Sequence, residues 1–127
     1  MSTNWYIKIS QNVRIWLDDE RDPKNPFIQK EFGAMGNEIW VKTPEEAIRL
    51  LEQGNVESIS LDHDLGENIG SGEQVAKWIE EKAYFGKISP LTWRVHSQNP
   101  VGAKNIFVAL SNADRFWQKK IKPSSIM

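Results

Sequence analysis

Three short apolar runs in this 127-residue chain each stop at a cluster of polar, chemically capable side chains, and that pattern limits the fold more than any other feature. "VRIWL" (13–17) runs into "DDERDP", "VESISL" (56–61) into "DHDLG", and "LTWRV" (91–95) into "HSQNP". Short runs rich in β-branched and aromatic residues read as buried strands. Unpaired buried carboxylates are costly, so the polar residues belong beyond the strand ends, in water or on a ligand.

The segments between these strands carry helix signals. In "TPEEAIRLLEQGN", Thr43 is the N-cap, Pro44 takes the first position, Glu46 completes a capping box, and Gly54 follows the end. Ala47, Leu50 and Leu51 form its apolar face. After the glycine-rich "GENIGSGEQ", Ser71 and Gln74 make a second capping box for a helix that buries Val75, Trp78, Ile79 and Ala83 and stops near Gly86. Asn99 and Pro100 open a last helix with Val101, Phe107 and Leu110 inward, and with Trp117 open between the inward face and another role.

"EIWVKT" (38–43) adds a short strand, and residues 22–37 read as irregular chain with one short helix near 27–32. "NWYIKIS" alternates Trp5, Ile7 and Ile9 as an extra edge strand would, while residues 118–127 read as a solvated basic tail. Alternating strands and helices predict one α/β domain over residues 1–127, with a mainly parallel sheet covered by helices. Ligands of such sheets bind beyond the carboxyl ends of the strands. The polar clusters fall there.

Composition removes several classes of function. The chain has no cysteine, which excludes disulfides, thiolate zinc sites and cysteine nucleophiles. Its formal charge of −1 gives no general attraction to nucleic acid or to an anionic membrane, so any phosphate must be held locally. No run approaches the roughly 20 apolar residues of a membrane span, and no signal-peptide core is present. The expectation is a soluble, cytoplasmic protein; the sequence leaves its oligomeric state open.

Neighbouring parallel strands lie about 4.8 Å apart, so one pocket can gather all three clusters. Asp18, Asp19, Asp62 and Asp64 supply the hard oxygen ligands that Mg²⁺ or Mn²⁺ prefers. His63 and His96 titrate near neutral pH and suit general acid–base work. Ser97, Asn99, the N–H groups opening the last helix, and Arg21 suit a phosphate. Any one cluster alone reads first as a turn or a cap. The chain's two histidines, however, both sit in strand-end motifs that face the same way, and the set together favours a functional site.

Gly66, Gly70 and Gly72 match neither the Walker nor the dinucleotide spacing. Gly102 costs helix propensity near the start of the last helix; close approach of a ligand explains it, and so does tight packing. Trp16, Trp40, Trp78 and Trp93 are assigned to core packing, while Trp5 and Trp117 are left unassigned.

"LDDERDP" (17–23), "SISLDHDLG" (58–66) and "VHSQNPVG" (95–102), with the helix entry "WVKTPEEAIRLL" (40–51), resemble the motifs of the cyclic-phosphate processing receiver domain family of bacteria and their phages, over about residues 13–117. That family is similar to response-regulator receivers, which implies a receiver-like, flavodoxin-like three-layer sandwich. In that likeness Asp18 and Asp19 stand at the acidic metal-binding pair, and Asp62, followed by Leu65 and Gly66, at the phosphoacceptor. Ser97 stands at the switch hydroxyl. A fifth strand bearing the receiver's lysine has no counterpart, so the fold is expected to be truncated.

The resemblance implies a metal-assisted enzyme acting on a cyclic phosphate: a cyclic nucleotide, an RNA 2′,3′-cyclic phosphate end, or an ADP-ribose cyclic phosphate. The expected roles are Asp18, Asp19, Asp62 and Asp64 as metal ligands, with orientation of a histidine as the alternative for Asp64, His63 and His96 as acid and base, and Arg21, Ser97, Asn99 and Gly102 around the phosphate. Attack by Asp62 itself stays open as an alternative. Two rival classes are a module that sequesters a cyclic nucleotide without turnover and a degenerate receiver that regulates a partner protein.

Overall fold

The computed structural model describes residues 12–121. Four strands, β1 (Val13–Leu17), β2 (Ile39–Val41), β3 (Val56–Leu61) and β4 (Thr92–Val95), alternate with four helices, α1 (Pro26–Phe32), α2 (Pro44–Gln53), α3 (Gly72–Tyr84) and α4 (Pro100–Ile121). All strand pairs are parallel, in the order β2-β1-β3-β4. This is the flavodoxin-like order without its last strand. The chain leaves β1 for one edge, through β2, and returns on the other side as β3. The gap beyond the ends of β1 and β3 is thus a topological switch point, where such sheets bind ligands.

Alternation along the strands sorts side chains between two faces. Ile15, Leu17, Ile59 and Leu61 point to the larger core, which they share with Ala47 and Leu51 of α2, Val75 and Ile79 of α3, and Ile106 and Leu110 of α4. The opposite face is thinner, with Trp16 packed against Ile28 of α1 and against Ala34, Phe32 and Trp40. The result is a three-layer sandwich with one heavy and one light helical layer, as the receiver-like expectation required.

The helix starts follow their local chemistry. Thr43 Oγ1 accepts the Glu46 N–H at 3.2 Å and Glu46 Oε1 accepts the Thr43 N–H at 3.2 Å. At α3, Gln74 Oε1 accepts the Ser71 N–H at 2.9 Å. Asn99 caps α4 by accepting the Gly102 N–H at 3.0 Å. The short helix expected near 27–32 is α1, capped by Asn25 and ended by Gly33 at φ 84°.

Three sequence expectations change. Val101 and Phe107 point outward, at 71% and 57% exposure. The buried stripe of α4 is instead Ile106, Ala109, Leu110, Ala113 and Trp117, because the helix period carries the first-turn Val101 past the sheet end and turns Phe107 edge-on to Trp93, 5.3 Å away. The strand expected over 38–43 keeps only Ile39–Val41. Helix α4 runs to Ile121, four residues into the segment read as a tail. The edge strand expected around Trp5, Ile7 and Ile9 lies outside the described residues. Among the described residues no helix is long and apolar enough to cross a membrane.

Candidate functional site

Strand register builds the site. Leu17, Leu61 and Val95 lie side by side across β1, β3 and β4. The ladder continues one residue further, with the Asp62 N–H donating to Leu17 O and the His96 N–H to Leu61 O, both at 3.0 Å. Asp18, Asp62 and His96 therefore stand in one row, on the Trp16 face, one step past the apolar core. All three are buried, Asp18 completely.

Asp18 and His96 are fully engaged within this row. Asp18 Oδ1 accepts the N–H groups of Glu20 and Arg21 at 2.8 and 2.9 Å, and Oδ2 accepts Arg21 Nη1 and His96 Nε2, both at 3.0 Å. Burial alone would raise its pKa. The hydrogen bonds from His96, the two backbone amides and Arg21 outweigh burial and hold Asp18 at about 2. For Asp62, burial and the neighbouring Asp18 charge raise the pKa against the opposing pull of His96 and Arg21. Its Oδ2 meets Arg21 Nη1 at 3.5 Å.

Asp19 completes a carboxylate triad. One oxygen each of Asp18, Asp19 and Asp62 lies within 4.8 Å of the others. Three close oxygen donors, two of them buried and sharing one guanidinium, fit a hard divalent cation, and among the described residues no other such group occurs. Asp64 stands apart from this triad. It is exposed, its Oδ1 bonds His63 Nδ1 at 2.8 Å, and its two oxygens accept from Asn99 Nδ2 at 3.3 and 3.4 Å. The His63 bond holds its carboxyl below the usual range.

The two histidines sit differently. His96 is clamped by Ser60 Oγ on Nδ1 at 2.7 Å and by Asp18 on Nε2, and it stacks on Trp16 with centroids 3.8 Å apart and planes 5° from parallel. His63 lies at the entry of α4, with Nδ1 on Asp64 and Nε2 3.4 Å from Glu73 Oε1. Its ring fills the place where a Gly102 side chain would be: a Cβ there would lie 2.3 Å from the ring. Gly102 is thus a packing glycine whose N–H is already given to Asn99, not an open phosphate contact. Gly72 has the same character, since a Cβ there would lie 2.0 Å from Asp62 O.

A polar cleft of about 390 Å³ opens over the row, lined by Asp19, Glu20, Arg21, Asp62, Asp64, Gly66, Gln98 and Asn99. Of the residues expected at a phosphate, Arg21 and Asn99 line it; Ser97 instead accepts the Asn99 N–H at 3.0 Å and shapes the turn. The sequence alone assigns no role to Ser60, Glu73 or Gln98, and it assigns Trp16 to core packing without its stack on His96. Ser60 and Trp16 were findable, because each lies two residues before a row member and shares its face. Glu73 and Gln98 reach His63 and Arg21 through contacts that no local pattern announces.

With this geometry in hand, the comparison with protein families is decisive: the model of the cyclic-phosphate processing receiver domain matches residues 13–112. The chain belongs to that family. The match spans all four strands and the first half of α4, and so includes every residue of the row and of the cleft. No curated protein and no solved structure matches this member of the family. A role in cyclic-phosphate processing follows from membership; the reaction and the substrate do not.

Proposed function

We propose that the protein is a metal-dependent hydrolase that opens a cyclic phosphodiester, on a small cyclic nucleotide, an ADP-ribose cyclic phosphate or an RNA 2′,3′-cyclic end. One observation carries this reading. The cleft that would receive an anionic phosphate is lined by four carboxylates, Asp19, Glu20, Asp62 and Asp64, against one guanidinium, Arg21. Such a cleft repels phosphate unless a cation is held in it.

Asp18, Asp19 and Asp62 would hold Mg²⁺ or Mn²⁺, which when bound supplies charge neutralisation and polarisation at phosphorus. The chain's own groups do the rest. Arg21 and the Asn99 amide face the cleft and suit the non-bridging oxygens. His63, oriented by Asp64 on the cleft wall, takes the proton role. His96, whose side chain is 2% exposed against 19% for His63 and whose two ring nitrogens are held by Ser60 and Asp18, is a positioning residue that aims Asp18. In the reaction a water oxygen bonds to phosphorus and one ring P–O bond breaks. The water proton passes to a base, and the departing alkoxide takes a proton, leaving a monoester.

Phosphorus NMR with Mg²⁺ or Mn²⁺ and a panel of 2′,3′-cyclic nucleotides, ADP-ribose 1″,2″-cyclic phosphate and cyclic oligonucleotides tests the reading. Metal-dependent conversion of one of them to a monoester, abolished in Asp62→Ala, is the expected result. Line broadening without conversion would point to a sequestering module and overturn hydrolysis. Silence across the panel, with acetyl phosphate labelling Asp62, would favour a regulatory receiver.

A further inference from the structure

Asp18 has no acceptor position left. An ionised carboxylate offers about four lone-pair sites, and those of Asp18 are taken by the N–H groups of Glu20 and Arg21, by His96 Nε2 and by Arg21 Nη1. Three of these donors cannot leave cheaply. Two are backbone amides of the turn that follows β1. The third belongs to an imidazole whose side chain is 2% exposed and is held by Ser60 and the Trp16 stack. The fourth is a guanidinium on a flexible stem, 20% exposed, whose Nη1 also reaches Asp62 Oδ2 at 3.5 Å.

We infer that Arg21 is an exchangeable counter-ion: in the metal-free protein its Nη1 occupies the cation's place between Asp18 and Asp62, and a divalent cation displaces it into the cleft. The inference rests on the metal reading above. Arg21 has two anchors that involve no carboxylate, Gln98 Oε1 on Nη2 at 3.0 Å and the Phe32 ring 4.3 Å from Cζ. Released from the acids, the guanidinium therefore stays at the cleft, where Nη1 can donate to a phosphate oxygen. Cation and phosphate then favour the same released state, and by linkage each raises the affinity for the other.

The test is calorimetric titration of Mn²⁺, without phosphate, into the wild-type protein and into Arg21→Met, which keeps an unbranched stem over Phe32 and loses the charge. Removing the competitor, a charge-assisted bond, is expected to tighten Mn²⁺ binding about tenfold. Equal or weaker binding by the variant, with wild type binding normally, overturns the inference and leaves the metal reading standing. Failure of both proteins to bind Mn²⁺ overturns the metal reading, and the inference with it. On wild type alone, the Arg21 Nε–Hε NMR signal is expected to shift on saturation with Mg²⁺; an unmoved signal contradicts displacement.

Discussion

Asp18 and Asp62 are buried neighbours that solve the cost of burial in opposite ways. Asp18 is surrounded by donors and held near 2, below its ordinary 3.8. Its stabilising contribution is therefore complete above about pH 4 and is lost as the pH falls through about 2. Asp62 is raised by burial and by Asp18, so its ionised form costs stability at neutral pH, and protonation relieves that cost. Asp62→Asn is accordingly expected to melt a few degrees higher than wild type in EDTA at pH 7, and to lose cation binding. Scanning calorimetry beside a Mn²⁺ titration checks both; a lower melting temperature would mean that Asp62 is already well compensated. The identities of Asp18, Asp62 and His96 were legible in the sequence because three apolar runs end at them. The tasks of the histidines were not, since burial by Trp16 and Ser60 separates His96 from His63 and neither contact is local.

The elements that carry these residues begin where short-range chemistry tells them to. Reciprocal capping at Thr43 and Glu46 fixes the start of α2, and Asn99 fixes that of α4. Thr43→Ala is expected to cost about 1 kcal/mol of stability and to leave Mn²⁺ affinity unchanged, because α2 supplies no cleft residue. Urea unfolding and the same titration test this, and a changed affinity would tie α2 to the site. Caps could be read from sequence because their partners lie within four residues, and strand ends because an apolar run stops at a polar cluster. The inward face of α4 was misread at Val101 and Phe107, whose surroundings depend on where the helix crosses the sheet end. Gly102 was ambiguous for a related reason: only the fold shows that the His63 ring occupies its empty side.

At the scale of the molecule, a four-stranded sheet in the order β2-β1-β3-β4 aligns Asp18, Asp62 and His96 in one row and opens the cleft above them. The alternation of strands and helices made the parallel sheet legible. The long-range pairs Arg21–Gln98 and His96–Ser60 emerge only when the sheet closes. The family gives a role in the processing of cyclic phosphates, and the carboxylate-lined cleft is the physical ground for proposing that a cation takes part. The most direct measurement is anomalous diffraction at the manganese edge from crystals grown with Mn²⁺. A single strong peak bounded by Asp18, Asp19 and Asp62 is predicted, whereas no peak there, or one held by Asp64 and Glu73 instead, would contradict the strand-end row as the cation site.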